Sequence, residues 1–178
     1  MSKSDPTSPA RLIPQLAFPP YSYVTGKFPH PIRDPQGHLY GHPQRAVARL
    51  DPAEWRQCES YRFGIDLFNH GFYWEAHEAW EGVWHAVQRT GDVADFLKGL
   101  IKLAAAGVKA REGRAEGVRR HATRARELFL AVSDGNPDAF AGLSLSTLTR
   151  LCDMLSAAPQ KYLNSSDQPV VVVLPSLT

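Results

Sequence analysis

The sequence predicts an all-α protein, an antiparallel bundle of about four to five helices with an extended Pro/His-rich N-terminal arm. Three observations predict it. Apolar residues recur at helical spacing through most of the stretch from Asp51 to Ala157. Glycines and an Asp-Gly-Asn-Pro break divide that stretch into helix-length segments. The residues before Asp51 carry prolines, which fix φ and remove donors, at a density no helix tolerates.

In chain order, residues 1–20 are rich in Ser and Pro without periodicity and read as a flexible leader. Residues 21–50 read as an extended arm whose aromatics pack on the body, through Gly26-Lys27-Phe28-Pro29-His30-Pro31 and Gly37-His38-Leu39-Tyr40-Gly41-His42-Pro43. Residues 51–160 form the single helical domain. Asp51-Pro52-Ala53-Glu54 has an N-cap acceptor, proline at the first helical position and Glu at the third, and predicts a helix start. Trp55, Cys58, Arg62, Ile65 and Phe68 share a face of that helix, and Gly71 is its expected C-cap. A second helix spans about residues 73–88. Asp92 is the expected cap of a third, about 93–112, whose two adjacent apolar stripes make it central. A fourth repeats Ala115, Val118, Ala122, Ala125, Phe129 and Val132, and a weaker fifth covers about 146–157. Residues 161–178 form a C-terminal tail, with Pro169 to Pro175 either a short strand or extended chain.

At 178 residues the chain can bury a core without staples. A net charge of +2 is too small to argue for nucleic acid or a membrane surface. No apolar run is longer than that from Val170 to Leu174, which falls far short of the ~20 residues of a membrane span. Cys58 and Cys152 lack metal-type spacing and suit free, buried thiols in a reducing cytoplasm. The basic residues between Lys109 and Arg126 read as a solvated helix face rather than a nucleic-acid surface, because no aromatics interleave them.

The second helix carries the chemistry. At ~100° per residue, His77 and Glu81 share a face one turn apart and Glu78 adjoins them, as His-Glu-x-x-Glu. One imidazole and two carboxylates suit a divalent zinc, manganese or iron ion, or a general base shielded by tryptophans. Further metal ligands would come from arm histidines, foremost His30 and His38, with His42, His70 and His121 behind them. Alternatively Glu78 or Glu81 pairs with Lys98 or Lys102 on the central helix in a structural ion-pair network. A third reading makes the Trp-rich helix and the arm a groove for a peptide or partner subunit. The ligand expected is thus a small molecule or peptide, and the wide apolar face of the third helix allows a homodimer.

The run Phe-Asn-x-Gly-x-Tyr-Trp-Glu-Ala-His-Glu-x-Trp-Glu-x-x-Trp from Phe68 to Trp84, followed by Phe96-Leu97-Lys98-Gly99-Leu100-Ile101-Lys102-Leu103-Ala104-Ala105-Ala106, resembles the domain of unknown function 309 family over about Glu54 to Val132. That resemblance implies a small all-α bundle of bacterial or archaeal type, in a family labelled predicted metal-dependent hydrolases. It carries Asn69, Tyr73, Glu75, His77, Glu78 and Glu81 as the polar residues of a site. Many members have Gln where this chain has Lys98 and Lys102, and ammonium groups there suit an ion pair or an anionic ligand better than a bare cation. The turn from Gly71 to Ala76 also resembles a tetratricopeptide-like helix pair, with no repeat at that period.

Overall fold

Five α-helices make up the body among the described residues, 9–43 and 47–178 of the computed structural model: α1 (Glu59–Asn69), α2 (Tyr73–Ala86), α3 (Asp92–Arg111), α4 (Ala115–Ser133) and α5 (Leu145–Ala157). The leader residues 1–8 and arm residues 44–46 lie outside that description. Each of the first four helices packs on the next, and α3 lies between α2 and α4. The expected all-α bundle is therefore present. Among the described residues the only strands are those of a small hairpin, β1 (Ala139–Phe140) paired antiparallel with β2 (Leu143–Ser144), just before α5. No helix of the described residues is long and apolar enough to cross a membrane.

The predicted breaks form, with one shift. α1 ends in a Schellman motif. Gly71 adopts φ +87°, its amide donates to Phe68 O, and the Phe72 amide donates to Leu67 O. Asp51 does cap a turn, accepting from the Ala53 amide at 2.9 Å, but α1 does not start there. A 3-10 turn at Trp55–Gln57 comes first, and Cys58 is extended before the helix begins at Glu59. The cause is tertiary: the Trp55 ring lies where a Cβ on Gly142 would be, 2.4 Å away, so it packs over the hairpin rather than following the helix. Asp92 is the first residue of α3 and accepts from Asn136, while Gly91 at φ +86° takes the cap position.

The core joins all five helices, with Phe68, Trp80, Phe96, Leu100 and Phe129 fully buried. Cys58 and Cys152 are free and buried, as expected. At Gly107 a Cβ would meet the Tyr73 ring at 2.4 Å, so this glycine lets α2 approach α3 closely.

Three segments outside the helices are bound to the body. The leader is docked rather than loose from Arg11 onward: Asp66 accepts from the Leu12 and Ile13 amides at 2.7 and 2.8 Å, and Ile13 is fully buried. The arm lies on the body, with Tyr23 and His30 against Trp74. The tail is extended, forms no strand, and adds Leu174 and Leu177 to the core.

Candidate functional site

His77, Glu78 and Glu81 converge. Each offers one ligand atom, and the three atoms lie within 4.8 Å of one another. The helix places them so: Glu78 follows His77, and Glu81 returns one turn later on the same side. All three are partly exposed, while Trp80 between them turns inward, fully buried, with its indole N–H donating to Tyr61 O at 3.2 Å. The inner side of the cluster is thus closed by core, and its outer side faces solvent. His77 Nδ1 stands 3.4 Å from Glu78 Oε1 and is buried with no hydrogen-bond partner.

Lys98 and Lys102 do not close on these carboxylates. Lys98 Nζ lies 3.8 Å from Asp95 Oδ1 and 5.4 Å from the centre of the Trp84 ring. Among the described residues neither lysine has an ion-pair contact with Glu78 or Glu81. The ion-pair network expected as the alternative is absent in that form. Lys98 has an acid one turn away on its own helix, and the Trp84 face takes its charge as well.

The arm histidines go elsewhere, and no fourth His, Cys, Asp or Glu among the described residues joins the cluster. His30 Nδ1 accepts from the Ile32 and Arg33 amides, and its ring packs on Tyr23 and Trp74. His38 reaches Glu75 instead, Nε2 to Oε1 at 3.8 Å, with both side chains buried. Glu75 Oε1 accepts from the Tyr23 amide at 2.9 Å. The Ser22 hydroxyl lies close enough to favour the carboxylate, but no well-formed hydrogen bond reaches Oε2. Burial pushes the Glu75 carboxyl up to about 7, helped slightly by Glu78 and opposed by the Tyr23 amide. Burial likewise pushes His38 down, so both groups favour their neutral forms. Glu75 therefore anchors the arm to α2. His42 is exposed, and the His70 ring contacts Asp66 O within α1.

Asn69 and Tyr73 serve the tail. The Tyr73 hydroxyl accepts from the Val173 and Leu174 amides, both at 2.9 Å. Asn69 Oδ1 accepts from the Leu177 amide at 2.9 Å, and its Nδ2 donates to Thr178 Oγ1. Sequence reasoning missed two residues of the same kind. Arg111 is buried, not part of a solvated face: it donates to Asn164 O at 3.0 Å and Gln168 O at 2.7 Å. Asp66 holds the leader. The only signal for it was an acid flanked by Ile65 and Leu67 in a helix with an apolar face. The remaining basic residues of this region do form a surface of local pairs, such as Arg119 with Glu116 and Arg124 with Glu127.

The Trp-lined groove expected for a peptide is covered by this chain itself. Trp80 is in the core, Trp74 carries Tyr23 and His30 of the arm, and Trp84 packs partly against the core beside His85 and Lys98.

Residues 61–121 match the family described as "Domain of unknown function (DUF309)". This part of the chain is similar to DUF309. The DUF309 match begins in α1, contains all of α2 and α3, and stops at His121 in α4, a narrower span than Glu54 to Val132. Every residue of the His77 cluster, Glu75, Asn69 and Tyr73 lies inside the DUF309 segment, whereas the leader, the arm and the tail they hold lie outside it. No curated protein and no solved structure matches the chain.

Proposed function

We propose that the chain is a metal-dependent hydrolase whose divalent cation is held by His77, Glu78 and Glu81. The observation that carries this reading is the orphaned His77 Nδ1, 3.4 Å from Glu78 Oε1 within the three-ligand cluster. Two ligand atoms on one tetrahedral ion with bonds of ~2.1 Å stand about 3.4 Å apart, which is the separation of His77 Nδ1 from Glu78 Oε1. A nitrogen and two carboxylate oxygens are a suitable donor set for zinc, manganese or iron. Among the described residues no ammonium group sits in contact with the carboxylates to oppose a cation.

Such a cation would supply Lewis acidity, lowering the pKa of a bound water and polarising the scissile carbonyl or phosphoryl oxygen. The protein's own contribution is orientation and access. Burial of Trp80 fixes the turn that carries all three ligands, so they project together. Side-chain exposures of 28% for His77 and 35% for Glu78 leave the outer side open to a substrate. Glu75, one turn before Glu78, ties the same helix end to the arm.

Metal analysis of protein purified without a histidine tag tests the reading. The expected result is near-stoichiometric divalent metal in the native chain, lost in His77→Ala with unchanged helical content. Equal metal content in both proteins overturns it.

A further inference from the structure

We propose that the basic stripe of α3 beside the His77 cluster, centred on Lys102 and flanked by Lys98 and Lys109, binds the phosphate group of a phosphorylated substrate at Lys102. The inference rests on reading that cluster as the reacting site, and it names the substrate class.

α3 is buried along most of its circumference, from Phe96 and Leu97 through Leu103 and Ala104 to Ala110 and Arg111. What remains partly open along its length includes Asp95, Lys98, Lys102, Ala105 and Lys109, at spacings of three or four that make one line. Contacts on either side fix the register. Tyr73 of α2 packs on Gly107, and Trp84 of α2 meets Lys98, so α2 runs antiparallel to α3 and Glu78 comes level with Lys102. On the other side Phe129 of α4 packs on Gly99, and Gly117 abuts the Lys109 side chain. His121, one turn after Gly117, therefore comes level with the stretch between Lys102 and Lys109. The result is a lysine floor with the His77 cluster on one wall and His121 on the other.

The positive charge of this floor is only partly cancelled. Lys98 has Asp95 at 3.8 Å and Lys109 has Glu112 at 2.7 Å, while Lys102 makes no ion pair among the described residues. His121 registers the same field: it is pushed down to about 4, first by burial and then by Lys102, Arg120, Lys109 and His77. Its neutral imidazole can donate to an anion from the wall. The floor holds lysines and no arginine. A lysine ammonium binds phosphate as a compact point charge with three donors. At a given distance an ammonium group attracts a phosphate dianion about twice as strongly as a monoanion.

The test titrates inorganic phosphate into the metal-stripped full chain by calorimetry at low ionic strength. Saturable binding is expected, weakened about tenfold by Lys102→Gln and largely restored by Lys102→Arg. Lys161→Gln, on the exposed surface beyond α5, should leave it unchanged. Absence of saturable phosphate binding overturns the proposal, as does a Lys102→Gln affinity within about twofold of the native value. Acetate binding as tightly as phosphate overturns the substrate class. His77→Ala separates this inference from the metal reading. Phosphate affinity should persist in that variant, so metal loss without phosphate binding in the native chain condemns only the lysine floor, and phosphate binding with metal uptake independent of His77 condemns only the metal site.

Discussion

Tyr73→Phe removes one oxygen and nothing else, so it isolates what holds the C-terminal tail. That oxygen accepts from the amides of Val173 and Leu174. The Tyr73 side chain is fully buried and so is Leu174, whereas Val173 is half-buried. A buried amide left without an acceptor costs about 1–3 kcal/mol, so the pair should cost about 2–4 kcal/mol if the tail stays in place. Releasing the tail would instead expose Leu174 and Leu177, at about 1.5–3 kcal/mol each. Release is therefore the costlier response, and the tail should remain docked on average. Urea denaturation should show the loss, with a melting point lowered by roughly 5–15 °C for a chain of this size. Amide exchange at Val173 and Leu174 should accelerate about 30- to 700-fold, the same energy expressed as local opening. A stability change under about 0.5 kcal/mol, with unaltered exchange at both amides, would refute the assignment of Tyr73 to the tail.

Other perturbations have equally definite outcomes. Asp66→Ala leaves the Leu12 and Ile13 amides without their carboxylate, and limited proteolysis should then cut near Ile13, which the native chain protects; equal protection in both proteins contradicts the docked leader. Glu75 has its carboxyl raised from 4.5 to about 7 by burial, so folding favours its protonated form. The stability it contributes is fully present below about pH 4.5 and is lost as pH rises towards 7, by about 2–4 kcal/mol. Glu75→Gln mimics the protonated form and should flatten that part of the stability profile. A mutant profile as steep as the native one, measured by denaturation across this window, would sink the assignment.

The helices were legible where the signals were local. Gly71 stops α1 because its own φ must be positive, and the periodicity of α4 from Ala115 to Val132 needs no knowledge of its partners. The start of α1 was not legible, because the Asp51-Pro52 turn is overruled by Trp55 packing on Gly142, a contact far along the chain. The candidate site divides the same way. His77, Glu78 and Glu81 converge through spacing within one helix, which a sequence displays directly. Asn69, Tyr73, Asp66 and Arg111 spend their polarity on backbone groups of distant segments, and a sequence offers those groups at every residue. His38 was legible as an arm histidine near α2, but its partner was not: Glu75, one turn before Glu78, takes it. Which acid Lys98 would choose depended on Asp95 lying on its own helix and on Trp84 reaching it from α2.

The most direct measurement of the proposed metal site is anomalous diffraction from crystals grown with manganese or zinc. The account expects one strong anomalous peak about 2.0–2.2 Å from ligand atoms of His77, Glu78 and Glu81 together. A crystal with no peak there, or with its principal peak between His38 and Glu75, would contradict it.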